Sequence, residues 1–357
     1  MPRRRLAVLT LVLAGALTAG CATAAPVAET PTPTPTPTLD ASPTPAPSAT
    51  ADAGPVRAFD ADCAQMLTND QRDAILGSGS ITEAEQMAQW NPDAGVVVAL
   101  DPVGTLGGLE CSWYAAEGAD LPEGLTTLTT MVVPASAVPA EYAAKYSVPV
   151  CEPNYDSSGC RFGRIVGENW VSAYVGFAVY EAPREMLAGV VDTVEQNLAT
   201  ATQPRPDTRT DGVWAIPDCT ELGRAIALEE LIGPYLHGYW EGSEQPEEVL
   251  FAAAGVARSC PLFSDSARVD PASEKFVIMT PQIAPGLGWQ WEQLRADAGS
   301  APLPVEVDGA ADAFAVDSGH GAYGLFATDG TNVVSVYSED LELDAQILGR
   351  IITTLSS

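Results

Sequence analysis

The chain has 357 residues, with 17 Lys and Arg against 47 Asp and Glu and a formal net charge of −30 at pH 7. Phosphate backbones are bound by Lys and Arg, so this charge argues against nucleic acid, and anionic headgroups would repel the same surface. The length suggests two domains, and 46% hydrophobic residues supply enough material for their cores.

Arg3, Arg4 and Arg5 precede an apolar run from Leu6 to Leu17, and small residues then lead to Cys21. This order predicts a secretory signal over residues 1–20. The run is shorter than the roughly 20 apolar residues of a membrane span. It is also apolar all round, whereas a core helix carries one stripe. Leu17-Thr18-Ala19-Gly20-Cys21 resembles the lipobox of bacterial lipoproteins, with Thr18 where that family prefers Leu. The resemblance implies cleavage between Gly20 and Cys21 and a diacylglycerol thioether on Cys21, with acyl chains of the palmitate type. The membrane is then a partner through this anchor, and the expected location is the outer face of the cell membrane. Two or more acyl chains hold a protein stably, at about 0.8 kcal/mol per buried CH₂. Plain secretion with Cys21 a free thiol is the alternative.

Residues 21–56 are mostly Ala, Pro, Thr and Ser, with a strict Pro-Thr alternation from Pro31 to Thr38. Such a segment has little to bury and is expected to be a disordered linker. Proline favours an extended path of about 3.1 Å per residue, a reach on the order of 100 Å. Thr and Ser beside Pro also read as O-glycosylation sites.

Beyond the linker an internal repeat divides the chain at Thr202–Asp211 into residues 57–204 and 211–357. Asp62-Cys63 recurs as Asp218-Cys219, and Ile75-Leu76-Gly77 as Leu231-Ile232-Gly233. Each pair reads as a short helix after the cysteine, closed by glycine, and Thr68 with Gln71 fits a capping box. Thr126–Val133 and Lys275–Thr280 read as matching strands, followed by matching helices at Ala140–Tyr146 and Trp289–Ala296. Trp170–Tyr180 is aligned with Tyr323–Tyr337, whose Asp329-Gly330 predicts a turn, and Val179-Tyr180 with Val336-Tyr337. Met186, Val190, Val191, Val194 and Leu198 then match Leu343, Ile347, Leu348, Ile351 and Leu355, one buried helical face in each copy. The expected class is α+β: two tandem duplicated domains, each a mainly antiparallel sheet with helices on one face.

Seven cysteines leave six once Cys21 carries lipid. The duplication pairs Cys63 with Cys111 and Cys219 with Cys260, each within its own copy. Cys151 and Cys160 flank a turn-forming stretch and are expected to join each other. Metal or thiol chemistry is disfavoured, because no pair has C-x-x-C spacing and His237 and His320 lie far apart.

No stretch reaches a catalytic signature. Asp317-Ser318-Gly319-His320-Gly321 lacks the G-x-S-x-G frame and reads as a turn. Gly77-Ser78-Gly79-Ser80 lacks the lysine of a phosphate loop. No EF-hand spacing occurs among the carboxylates, and no cofactor is implied. The best candidate contact loop is Pro234–Trp240, with Tyr235, His237, Tyr239 and Trp240; aromatics packed beside a glycine line ligand clefts or protein contacts, or else cover a core's edge. Trp113 is expected to pack on the disulfide of Cys111. Trp289 and Trp291, two apart, cannot share one helical face. The acidic surface keeps an exported protein soluble, with recruitment of cations or a basic partner as the functional alternative.

The Cys-helix-strand-Cys order followed by a terminal amphipathic helix resembles the paired domains of actinobacterial surface lipoproteins of unassigned function. That resemblance implies a non-enzymatic envelope protein that binds an unidentified ligand or envelope protein or serves a structural role. The alternatives are the substrate-binding lipoprotein of an importer, with ligand between the domains, and an extracellular hydrolase.

Overall fold

The computed structural model describes residues 54–90, 98–116, 118, 124–154, 157–178, 185–208, 211–240, 242, 244–268, 276–299, 302–319 and 321–357. The leader, Cys21 and the linker as far as residue 53 lie outside these, as do Val179, Tyr180, Lys275 and His320. In the first half, Asp62 accepts a hydrogen bond from the Ala64 amide at 2.9 Å and so starts α1 (Cys63–Met66) on the cysteine. Thr68 and Gln71 form the reciprocal capping box of α2 (Asn69–Leu76), which Gly77 ends at φ 77°. Then follow β1 (Ile81–Thr82), α3 (Glu83–Trp90), α4 (Pro102–Thr105), β2 (Leu109–Tyr114), β3 (Leu125–Pro134), α5 (Ala140–Tyr146), β4 (Val150–Asn154), β5 (Ser157–Val166), β6 (Asn169–Phe177) and α6 (Glu185–Leu198). The strands form an antiparallel sheet in the order β1-β2-β3-β6-β5-β4.

The second half repeats this plan. Asp218 accepts from the Glu221 amide at 2.9 Å and starts α7 (Cys219–Ala225). After it come α8 (Leu228–Ile232), β7 (Tyr235–His237), α9 (Pro246–Ala254), β8 (Arg258–Ser259), β9 (Leu262–Ser264), β10 (Ile278–Met279), β11 (Gln282–Ala284), α10 (Trp291–Asp297), β12 (Leu303–Pro304), β13 (Asp312–Gly319), β14 (Ala322–Thr328), β15 (Val333–Ser338) and α11 (Leu341–Leu355). One sheet runs β12-β13-β14-β15-β11-β8 and a smaller one β10-β9-β7. The two are a single ladder interrupted. Met279 faces Leu262 and Gln282 faces Ser259, so the register carries straight through, with Cys260 opposite Pro281 and Pro261 opposite Thr280. In the first half the same place is an unbroken β2–β3 pair, Cys111 opposite Thr130. Pro281 keeps its carbonyl, which accepts from Cys260 N–H at 2.9 Å, but it has no N–H to return. Two prolines set diagonally on the facing strands, Pro261 and Pro281, therefore split one sheet into two.

This register corrects three alignments read from sequence. Tyr337 is the counterpart of Tyr174 on β6, not of Tyr180, because Ser335 faces Gln282 as Ser172 faces Met131. Tyr323–Tyr337 is the whole β14–turn–β15 hairpin and matches β5 with β6, not β6 alone. The counterpart of Thr126–Val133 extends past Thr280 to Ala284, with Pro281 inside the strand rather than after it.

Each of the two six-stranded sheets has two covered faces. On one, α6 buries Leu187, Val190, Val191, Val194 and Leu198 against Leu128, Val171 and Val175, beside α1 and α2. In the same way α11 buries Ile347, Leu348, Ile351 and Ile352 against Ala315, Leu325 and Val334. The anticipated face of helices is thus present in both halves, but the opposite face is covered too, partly from the other half. Leu250 and Val256, at and just past α9, enter a core with Met131, Val133, Tyr142, Tyr146 and Trp170 of the first half. Val98 enters a core with Leu287, Trp291, Leu294, Phe314 and Phe326 of the second. The donated segments occupy matching places, each running into the second cysteine of its half. Val98, Leu250 and Val256 are buried, and each such side chain contributes about 1.5–3 kcal/mol. Asp52–Ser357 accordingly forms one compact unit, and its described residues make two six-stranded sheets and the small three-stranded one.

Disulfides join Cys63 to Cys111, Cys151 to Cys160 and Cys219 to Cys260. The first ties α1 to Cys111 on β2 and the third ties α7 to Cys260 between β8 and β9, the matching place in the second half. Cys151 and Cys160 face each other across β4 and β5. Such bonds persist in an oxidising compartment outside the cytosol. Among the described residues no helix is long and apolar enough to cross a membrane.

Candidate interaction surface

The most distinctive exposed feature grows out of the interrupted ladder. On the small sheet Leu236, Phe263 and Ile278 stand side by side in register. Alternation along each strand sends Leu262 and Met279 into the core and this row outward. Leu236 and Ile278 are 45% and 50% exposed, and Trp240 and Phe276, alongside, are 51% and 47% exposed. Trp240 makes edge contacts with Phe263 and Phe276, ring centroids 5.2 and 5.1 Å apart. The matching row in the first half is Ile81, Tyr114 and Thr127, a more polar and less exposed set. The two copies thus share a ladder and differ in what it presents. Contiguous exposed aromatic and aliphatic side chains mark interaction sites more often than isolated ones do.

Of the four residues singled out in the contact loop, only Trp240 belongs to this face. Tyr235 and His237 point to the opposite side of β7, their rings meeting edge-on at 5.1 Å over Gly223 of α7. A Cβ at Gly223 would lie 2.4 Å from the Tyr235 hydroxyl, so the glycine makes room for the pair. Neither ring nitrogen of His237 has a hydrogen-bond partner among the described residues. Burial holds its pKa below the usual histidine range, with nearby Asp218 pulling the other way. Tyr239 donates to Glu248 of α9, and burial followed by that carboxylate raises its pKa. The loop therefore divides between packing and presentation, a division that β-strand alternation sets and composition does not reveal.

Sequence reasoning missed a second polar cluster, at the seam between the halves. Arg161 on β5 is 9% exposed and lies over Tyr146 and Tyr174, 5.6 and 5.2 Å from the ring centroids. Its guanidinium pairs with Glu247 of α9, so a buried cation of one half is neutralised by the other. The buried Tyr142 hydroxyl has no partner among the described residues, and desolvation pushes its pKa up to about 12. A lone Arg in a strand with no neighbouring signal gave no reason to expect this pairing.

A cavity of about 1210 Å³ is an open depression lined by Val56, Glu168, Asn169, Gln203 and Arg205 among others. Its amides are mutually engaged: Asn169 donates to Gln203 at 2.8 Å, and Gln203 to the Leu198 carbonyl at 2.7 Å. Two cavities at the seam, about 240 and 160 Å³, are much smaller. Ser318, the tempting nucleophile, donates to the Ala322 carbonyl at 2.9 Å within the β13–β14 hairpin. Trp113 is buried beside Cys111 in the first core. Trp291 is buried in the second half, whereas Trp289 turns to the first, its indole donating to Thr105 at 3.2 Å beneath Arg57. Compared with protein-family models, with curated proteins and with solved structures, the chain matches none.

Proposed function

We propose that this is a lipid-anchored envelope protein, held by Cys21, that binds a protein partner non-enzymatically through the face carrying Leu236, Trp240, Phe276 and Ile278. The observation that carries the reading is that exposed apolar row, present in one copy of the duplicated sheet and replaced in the other. Disulfides in both halves suit an oxidising, extracytoplasmic location. The importer alternative needs a cleft that opens and closes around ligand. Exchange of buried Val98 and Leu250 across the seam opposes such a hinge, and the seam cavities are small. The hydrolase alternative loses the serine that the sequence offered, because the Ser318 hydroxyl donates to the Ala322 carbonyl inside a hairpin.

Photo-activatable residues at Trp240 and Ile278, in cells expressing the full chain, test the proposal. A discrete cross-linked product from both positions, absent when the probe stands at exposed Ile165 on the first sheet, is the expected outcome. Equal or absent cross-linking at all three positions would remove the support for this face.

A further inference from the structure

β7 is the outer strand of the small sheet, and its ladder leaves one edge open. Gly238 N–H donates to the Pro261 carbonyl and Asp265 N–H to the Pro234 carbonyl, both at 2.9 Å. Bonded pairs alternate along an antiparallel ladder, so Leu236 is the residue that exchanges bonds with Phe263. The N–H and C=O groups of Tyr235 and His237 therefore point away from β9, and no described residue pairs with them. An open edge of this kind is a template for another strand. Here it borders the exposed apolar row, which would receive every second side chain of an added strand.

Charge decides what that strand carries. Tyr235 feels Glu229, His237 feels Asp218, and Tyr239 feels Glu248 and Glu244. Arg224 is also near Tyr235, while Arg268 is taken up by Glu229 and Asp265. The surroundings of the edge are thus predominantly acidic, on a chain of net charge −30. Pairing two copies edge to edge would bring like charges together, which costs free energy.

We propose that an extended, basic segment of a partner protein adds to β7 as a further strand, its backbone bonded to Tyr235 and His237 and its apolar side chains laid against Leu236 and Trp240. This rests on the reading of the sheet face as a protein-binding surface and specifies how that face is engaged.

The test uses the full chain in detergent and a synthetic peptide of alternating Lys and Val. The controls are an alternating Glu-Val peptide and a Lys-Val peptide interrupted by proline. Saturable binding of the Lys-Val peptide is expected, with hydrogen exchange at the Tyr235 and His237 amides slowed about tenfold or more and Leu236, already bonded to β9, unchanged. Both controls are expected to bind at least about tenfold more weakly, and added salt to weaken the complex. A shift in Trp240 emission without amide protection would overturn strand addition while leaving the face reading intact. Equal binding of the Glu-Val peptide would overturn the choice of a basic segment. Failure of the Lys-Val peptide to bind also overturns strand addition, and if the cross-links at Trp240 and Ile278 are missing as well, the face reading falls with it. Protection of the same amides in the chain alone, rising with its concentration, would assign the edge to a second copy and sink the proposal.

Discussion

The Tyr337 hydroxyl donates to the Val98 carbonyl at 2.6 Å, joining the second sheet to the segment that the first half lays across it. The bond belongs to the reciprocal exchange that also sends Leu250 into the first half. Tyr337→Phe removes one hydrogen bond at a half-exposed site and is expected to cost about 1 kcal/mol. Leu250→Ala empties a fully buried site and is expected to cost about 2–5 kcal/mol. Because each half completes a core of the other, both halves should still unfold together. Thermal melts followed separately by tryptophan emission and far-ultraviolet circular dichroism check this, and two separated transitions in the parent chain would contradict it.

The duplication was legible because it rests on local chemistry. An aspartate before a cysteine caps a helix, and an apolar stripe at helical spacing marks a buried face; both signals sit within a few residues of one another. The same locality explains the failed alignments. Val-Tyr at 179–180 and 336–337 matches in letters, but strand register is set by pairing with distant neighbours, and those neighbours assign Tyr337 to Tyr174. Exchange across the seam left no trace in periodicity either. Val98 and Leu250 look like ordinary core residues, and only the tertiary arrangement decides whose core they enter. Trp240 was visible as a candidate contact, whereas Phe276 and Ile278 of the same patch come from β10 and the residues just before it, far along the chain.

Arg161 and Glu247 extend the seam argument to charge. Removing the carboxylate with Glu247→Ala leaves a largely buried guanidinium unpaired, and breaking such a pair costs about 3–5 kcal/mol. Replacing both, Arg161→Met with Glu247→Leu, is expected to recover most of that loss, since a well-packed apolar pair replaces a buried ion pair at little cost. Chemical denaturation of the two single variants and the double variant measures the difference. A double variant as unstable as the singles combined would contradict the pairing.

The disulfides should rank by the length of chain they close. Cys63–Cys111 and Cys219–Cys260 span 48 and 41 residues, whereas Cys151–Cys160 spans 9. In the chain-entropy model the long pair closures contribute about 4 kcal/mol each and the short one about 2.5. Paired Cys→Ala replacements are therefore expected to be mildest at Cys151 and Cys160, as read by shifts in denaturation midpoint. The hairpin that holds this short bond is already fixed by the β4–β5 ladder, which points to the same order.

The anchor makes its own prediction. If Cys21 carries the lipid, Cys21→Ala leaves the mature chain with no acyl group, and fractionation should find it in the medium rather than with membranes. Continued retention in the membrane fraction would count against the lipobox reading. The folded part should be unaffected, because Cys21 has no place in the three disulfides.

Asp344 yields a prediction about pH. It lies fully buried in the first turn of α11, where Ser338 donates to its carboxylate at 2.8 Å. The helix N-terminus favours the charged form, yet desolvation dominates and the pKa rises from 3.8 to about 6. A carboxyl group with a raised pKa keeps its proton in the folded state after the unfolded chain has released it. Between about pH 4 and pH 6 the folded state therefore binds more protons, and stability falls as pH rises across that window. The loss amounts to about 2–3 kcal/mol. Asp344→Asn, which keeps a polar partner for Ser338 without a charge, should be more stable than the parent at pH 7.5. That advantage should shrink toward pH 4, where the parent carboxyl is neutral in both states. Melting temperatures of the two proteins across this range provide the measurement, and an advantage that grew on acidification would show that the buried carboxylate is stabilised by a partner stronger than Ser338.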